Sequence, residues 1–181
     1  MKIIFLDIDG VLNVIGQGHD EYGQLFHKHF EDNLKRIIDE TSAKIVISSS
    51  WRKAGLDVMK KMWAKRNLPG EVIDTTPGLY VFKNTTNIRF FNGQREQKKL
   101  PKFKGYSVPR GSEIEYWLSD NSGKHIIESY VILDDDTDFL LSQNNKFVQC
   151  SGNLDDEDCI DCGYGLTKNC TDKAIKILNK N

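Results

Sequence analysis

Two aspartates one residue apart, Asp7 and Asp9, stand directly after the apolar run Ile3-Ile4-Phe5-Leu6 and directly before Gly10. Carboxylates at the mouth of a buried strand are groups that can hold a cation, attack an electrophile or move a proton. Side chains alternate along an extended strand, so this pair would point to opposite faces if the strand ran on. Gly10 predicts that it does not, because a turn after Asp9 lets one carboxylate face a ligand while a neighbouring backbone carbonyl closes on a cation. Asp-x-Asp-Gly is also a common surface turn, and it is the apolar strand in front of it that favours a site.

Two more groups of the same kind follow apolar runs. Ser48-Ser49-Ser50-Trp51-Arg52 comes after Lys44-Ile45-Val46-Ile47. Hydroxyl donors and a guanidinium fork suit the oxygens of a phosphate. A helix N-cap would need only one of the three serines, and both uses can share a turn because helix amino termini attract anions. Asp134-Asp135-Asp136-Thr137-Asp138 comes after Tyr130-Val131-Ile132-Leu133. Four acids in five positions repel one another unless a cation or a cationic side chain offsets the charge. Arg110, just before a helix start, is placed either to reach an anion or to stand on the surface.

The elements that must position these groups alternate. Apolar runs at residues 2–6, 44–47, 71–73, 130–133 and 146–149 predict five strands. Helical spacing predicts helices over residues 31–41, 56–66, 110–120 and 171–180, with Ser112 and Glu115 in a capping-box pattern at the third. Strands alternating with helices imply an open, mostly parallel sheet with helices on both faces, an α/β architecture of Rossmann-like kind. In such sheets ligands bind beyond the carboxyl ends of the strands, and Asp7, Asp9, Ser48 to Arg52 and Asp134 to Asp138 all fall there.

Residues 78–109 differ in kind. Residues 79–83 and 87–91 read as a β-hairpin, followed by a lysine-rich stretch. Between Lys83 and Arg110 there are eight cations against the single acid Glu96, a net +7 in a chain whose total is -1. Phe90, Phe91, Phe103 and Tyr106 are interleaved with these charges. That mixture suits contact with single-stranded nucleic acid through phosphate attraction and base stacking, and equally suits a solvated hairpin whose aromatics pack back on the domain.

Cys150, Cys159, Cys162 and Cys170 lie in or beside a loop spanning about 150–170. One Cys-x-x-Cys knuckle leaves zinc, disulfide and free-thiol states open, with free or redox-active thiols the default. His19, His27 and His29 lack the helical i, i+4 pairing of a metal site and read as surface residues.

At 181 residues, 39% apolar and near-neutral, the chain reads as one domain over residues 1–181, with an insertion at about 78–109. The short apolar amino terminus runs straight into Asp7, so it reads as a strand and not a signal peptide, and no run approaches membrane-spanning length. The expectation is a cytoplasmic protein with no membrane partner; the oligomeric state stays open. The near-neutral balance argues against strong nonspecific nucleic-acid binding by the whole molecule.

Taken together the residues fit metal-assisted phosphoryl transfer. Mg2+ would take oxygens from Asp7, the Asp9 backbone and the second acidic cluster, while Ser48 or Ser49 and the cations hold the phosphate. Asp7-Ile8-Asp9-Gly10-Val11-Leu12-Asn13, the strand and serine Ile45 to Ser48, and Asp134-Asp135 after the fourth strand resemble motifs one, two and four of the haloacid dehalogenase-like (HAD) phosphohydrolase superfamily. Ser-Ser-Ser-Trp-Arg, Arg-Gly-Ser-Glu-Ile-Glu-Tyr-Trp-Leu and Ile-Leu-Asp-Asp-Asp narrow the resemblance to HAD domains of RNA-repair proteins, akin to polynucleotide 3'-phosphatase domains.

The resemblance implies a three-layer fold with a small or absent cap. It implies Asp7 as nucleophile, Asp9 as general acid and base, and Mg2+ held chiefly by Asp135 with Asp134 in support. It also implies a cationic third motif, for which Arg110 is the candidate beside Lys104 and Arg52. The expected function is a Mg2+-dependent phosphatase acting through an aspartyl-phosphate, on terminal phosphates of RNA or DNA or on nucleotides, with residues 83–110 as the contact to nucleic-acid ends. Two alternatives stand beside it. One is a nucleic-acid-binding or regulatory module on a non-hydrolytic HAD fold, and the other is a small-molecule phosphatase or phosphotransferase.

Overall fold

The computed structural model of the chain describes residues 1–13, 18–82, 88–91, 105–150 and 165–180. In chain order the elements are β1 (Lys2–Leu6), β2 (His19–Asp20), β3 (Gly23–Gln24), α1 (Lys28–Thr41), β4 (Lys44–Ile47), α2 (Leu56–Lys65) and β5 (Val72–Thr75). Next come β6 (Gly78–Phe82), β7 (Ile88–Phe91), β8 (Gly105–Ser107), α3 (Arg110–Asn121), β9 (Ser129–Asp134), β10 (Phe147–Gln149) and α4 (Lys168–Leu178). Short 3-10 turns at Ser50–Ala54 and Leu141–Lys146 follow β4 and precede β10.

β1 is apolar throughout its last four residues because both of its faces are covered. It lies at the centre of a five-stranded sheet of order β10-β9-β1-β4-β5, and every pairing in that sheet is parallel. Alternation along β1 divides the core in two. Ile4 and Leu6 pack with Phe30, Leu34 and Ile37 of α1, Met59 and Met62 of α2, and Ala174 and Leu178 of α4. Ile3 and Phe5 pack on the other face with Ile114 and Trp117 of α3. Three helices, a sheet and one helix therefore make three layers, the α/β architecture expected from the alternating pattern.

From β1 the chain builds outward through β4 to β5, then crosses back to place β9 on the other flank of β1. The strand order thus reverses between β1 and β9, at the edge where Asp7 and Asp134 leave the sheet. Such a reversal opens a crevice at the carboxyl ends of the two strands.

Two local readings differ from the sequence expectation. The capping box at Ser112 and Glu115 is absent, since Pro109 occupies the N-cap of α3 with no side-chain bond. Asp138, from the loop after β9, caps this helix in its place: the Arg110 N–H donates to its carboxylate at 2.9 Å and the Gly111 N–H to its carbonyl at 3.2 Å. The expected hairpin is present as β6 and β7, with Leu79 opposite Phe90, but β8 joins the other edge of β6 to give a three-stranded antiparallel sheet. Gly105-Tyr106-Ser107 is too short and mixed to announce a strand; pairing with β6 creates it.

Candidate active site

Gly10 shapes the turn that carries the first two carboxylates. It has φ +73°, in the left-handed region open to glycine, and the N–H groups of Val11, Leu12 and Asn13 all donate to the Ile8 carbonyl. A Cβ on Gly10 would stand 2.2 Å from Oδ2 of Asp135. The missing side chain is what lets the acidic loop after β9 close on the turn after β1.

Asp7 is 4% exposed, and its N–H continues the β-ladder to the Leu133 carbonyl at 2.9 Å. Its Oδ1 accepts from the Ile8 N–H at 2.7 Å, and its Oδ2 meets Nη1 of Arg110 at 2.6 Å. The Ser49 side chain also hydrogen-bonds this carboxylate. Burial pushes the Asp7 carboxyl above the usual carboxylate range, against the opposing pull of Arg110.

Asp134 ends β9 and is fully buried. Its Oδ1 accepts from the Asp136 N–H at 2.9 Å, and Nη1 of Arg110 donates to its Oδ2 at 2.9 Å. Burial, and then the charge of Asp7, push it up to about 8. Asp135 is raised for the same two reasons. Oxygens of Asp7, Asp134 and Asp135 all lie within 4.8 Å of one another, and among the described residues this is the group placed to hold a metal ion. The donor set is all carboxylate oxygen, which fits a hard divalent cation such as Mg2+.

Arg110 Nη1 also donates to the Ser48 carbonyl at 2.5 Å. Burial works against the charge of Arg110, yet Asp7 and Asp134 outweigh it and hold the guanidinium more firmly protonated than usual. Of the two candidate cations among the described residues, Arg110 and Arg52, Arg110 is the one beside Asp7. Arg52 instead donates to Oε2 of Glu113 at 2.5 Å and to the Ser49 carbonyl at 3.3 Å. Glu113, 3% exposed, also accepts the Leu79 N–H at 3.0 Å, so it joins the serine turn to the root of the inserted sheet. Lys104 lies outside the described residues.

The serines divide. Ser48 is buried, its N–H donates to the Leu6 carbonyl at 2.8 Å, and its hydroxyl meets that of Thr76 at 3.5 Å. Ser49 caps the 3-10 turn by accepting from the Trp51 N–H while its hydroxyl reaches Asp7. Asp9 is exposed and has its own partners, none of them in the buried cluster. Its Oδ1 accepts from Nε1 of Trp51 at 2.9 Å and Nδ2 of Asn13 at 2.8 Å, and its Oδ2 from the Ser50 hydroxyl at 3.3 Å. Sequence reasoning passed over Trp51, Asn13 and Glu113. Trp51 sits inside the serine turn and Asn13 four residues after Asp9, a spacing at which side chains can meet in a tight turn; a lone Glu on a helix carries no comparable signal.

The histidines do not gather: His27 caps α1 by accepting from the His29 N–H, and His29 faces Asn33. Cys150 and Cys170 are buried and free, their thiols donating to the carbonyls of Val148 at 3.6 Å and Gln149 at 3.4 Å, while Cys159 and Cys162 lie outside the described residues. The side chains of the basic segment at 83–104, with the nucleic-acid contact expected there, are likewise outside them. A cavity of about 320 Å³ is lined by Arg52, Leu56, Asp74, Pro77, Tyr116 and Trp117, and it includes none of Asp7, Asp9, Asp134 and Asp135.

A wholly parallel α/β sheet with buried carboxylates, an arginine and hydroxyls gathered at its strand-order reversal defines a Rossmann-like domain whose clustered carboxylate oxygens could hold a metal ion. Residues 3–159 match the family described as the HAD domain in Swiss Army Knife RNA repair proteins, and the chain belongs to that family. It is thereby a HAD domain of phosphatase-type hydrolase kind, in a family that is generally metal-dependent. Neither the comparison with curated proteins nor that with solved structures returned a match. No helix among the described residues is long and apolar enough to cross a membrane.

Proposed function

We propose that this chain is a Mg2+-dependent phosphomonoester phosphatase that works through an aspartyl-phosphate on Asp7 and acts on terminal phosphates of RNA or DNA. The observation that carries the reading is the convergence of Asp7, Asp134, Asp135 and Arg110 at one point beyond β1 and β9. Three carboxylates facing a single guanidinium leave an excess of negative charge that a divalent cation would neutralise. Mg2+ would be held by Asp135, Asp134, Asp7 and the backbone oxygen of Asp9, and would screen phosphate charge from these acids.

In the first step an Asp7 carboxylate oxygen attacks phosphorus, the bond from phosphorus to the leaving oxygen breaks, and Asp9 gives that oxygen a proton. In the second, water attacks the phosphorus of the acyl phosphate, Asp9 takes the water's proton, and inorganic phosphate leaves with Asp7 restored. The Ile8 N–H and Arg110 orient the Asp7 carboxylate for attack. Ser48, Ser49 and Arg110 supply donors for the phosphate oxygens. Arg52, paired with Glu113, supports the serine turn from behind. The substrate class is supported by the RNA-repair description of the family and by the net +7 between Lys83 and Arg110.

Release of phosphate from p-nitrophenyl phosphate in Mg2+, lost in Asp7→Asn, tests the reaction. Failure of the wild-type protein to release phosphate, or equal rates for Asp7→Asn, would sink it. Hydrolysis of a 3'-phosphorylated oligonucleotide beside free nucleotides and sugar phosphates tests the substrate, and a better rate on the small molecules would overturn that part.

A further inference from the structure

Asp9 is an exposed carboxylate, and an unrestrained one would turn about its side-chain bonds and carry a proton on either oxygen. Its surroundings remove that freedom. Trp51 Nε1 and Asn13 Nδ2 both point at Oδ1, at 2.9 and 2.8 Å. The orientation of the Asn13 amide is set by its own Oδ1, which accepts the Gly10 N–H at 3.2 Å, so its amino group faces Asp9. An indole N–H is a donor only and cannot accept. Oδ1 is therefore an acceptor in both protonation states of Asp9.

Trp51 is itself held from outside the site. Its ring lies 5.8 Å from that of Phe26, and the Arg66 guanidinium stands 5.7 Å from Trp51 and 4.6 Å from Phe26. Arg66 donates through Nε and Nη2 to the Asp20 carboxylate at 3.0 and 2.7 Å, and to the carbonyls of Gly23 and Gln24. The β2–β3 hairpin is thereby drawn onto the indole. Gly23, at φ +124°, passes so close that a Cβ there would be 3.1 Å from the ring.

We infer that Trp51 is a positioning residue for the proton transfer: by fixing Oδ1 of Asp9 as a permanent acceptor, it assigns the transferred proton to Oδ2, beside the Ser50 hydroxyl. The inference rests on the phosphatase reading and adds which atom of Asp9 delivers the proton and what holds it there.

The test compares kcat/KM for p-nitrophenyl phosphate, whose leaving group departs without protonation, with phenyl phosphate, whose leaving group needs it. Trp51→Phe keeps an aromatic ring for Phe26 and Arg66 but loses the indole N–H together with part of the ring that packs on Gly23. It is expected to lower kcat/KM for phenyl phosphate roughly tenfold to a hundredfold, and to leave p-nitrophenyl phosphate within about threefold, since general acid catalysis acts only where a proton is needed. Incorporation of 3-benzothienylalanine at position 51, which keeps the bicyclic shape with sulfur in place of the N–H, is expected to give the same selective loss if phenylalanine disturbs the packing. Equal losses on both substrates, or none on either, in the benzothienyl protein would overturn the inference while the phosphatase reading stands. A wild-type protein inactive on both substrates would remove the phosphatase reading, and the inference with it.

Discussion

At the scale of single residues, the site is governed by how close its charges are. Gly10 is the simplest case, since its lack of a side chain admits the Asp135 carboxylate. Gly10→Ala combines a φ that disfavours a Cβ with a direct clash, so Asp135 must withdraw. The expected outcome is a raised Mg2+ requirement, roughly tenfold or more, with a stability loss of about 1–2 kcal/mol, measured by Mg2+ titration of phosphate release and by urea unfolding. Asp9→Asn removes the group that moves the proton but leaves the nucleophile. It is expected to slow turnover by about 10²–10⁴-fold, measured on phenyl phosphate under saturating Mg2+.

Asp134 gives a pH prediction with a definite sign. Its folded-state value is raised from 3.8 to about 8, so over that window the folded chain binds its proton more tightly than the unfolded chain does. The resulting stabilisation is fully present below about 4 and is lost as pH rises through about 8. Metal-free protein should therefore melt at lower temperature at pH 8 than at pH 5 from this group's contribution, and Asp134→Asn should flatten that dependence. Added Mg2+ should raise Tm more at pH 8 than at pH 5. A thermal melt series with a chelator and with Mg2+ checks this, and a Mg2+ shift of equal size at both pH values would contradict it.

At the scale of elements, Glu113 is where a helix holds two other parts of the chain. It sits in α3, takes Arg52 from the turn after β4, and takes the Leu79 N–H from β6. Breaking a buried ion pair by removing one charge leaves the other uncompensated. Glu113→Gln keeps an acceptor for Leu79 but discharges the pair, and is expected to cost about 3 kcal/mol in urea unfolding. It should lower phosphate release less than any change at Asp7, because Arg52 stands behind the serines and not against Asp7.

The same element scale shows why the secondary structure could be read from the sequence and some contacts could not. β1, β4 and β9 carry apolar runs because these parallel strands are covered on both faces, and that pattern is local. β8 is created by pairing with β6 and leaves no periodic trace. The cap of α3 comes from Asp138, which is distant in sequence, so the local Ser112 and Glu115 pattern misdirected the reading.

At the scale of the molecule, the amino and carboxyl halves meet at the reversal of strand order. Asp7 comes from the first strand, Ser49 from the turn after β4, Arg110 from the start of α3 and Asp134 from β9, and parallel winding brings their ends to one edge of the sheet. The charge distribution is uneven, with a net +7 between Lys83 and Arg110 in a chain of net -1. If that segment meets a nucleic-acid backbone, added salt should raise KM for a 3'-phosphorylated oligonucleotide severalfold between 50 and 200 mM. KM for p-nitrophenyl phosphate should change little, and parallel salt titrations of the two substrates check the difference.

The sequence by itself determined the order of strands and helices along the chain, the parallel three-layer class, and the resemblance to HAD domains, because hydrophobic period and short acidic and hydroxyl motifs are local properties. Only the tertiary structure decided which groups share a contact. It placed Arg110 beside Asp7 and Asp134, turned Arg52 to Glu113, gave the Ser49 hydroxyl to Asp7 and that of Ser48 to Thr76, and closed Trp51 and Asn13 on Asp9. The physical reason is that a cation's partner is set by burial and distance. Both depend on strand order and helix packing, to which neighbouring residues in the chain are blind.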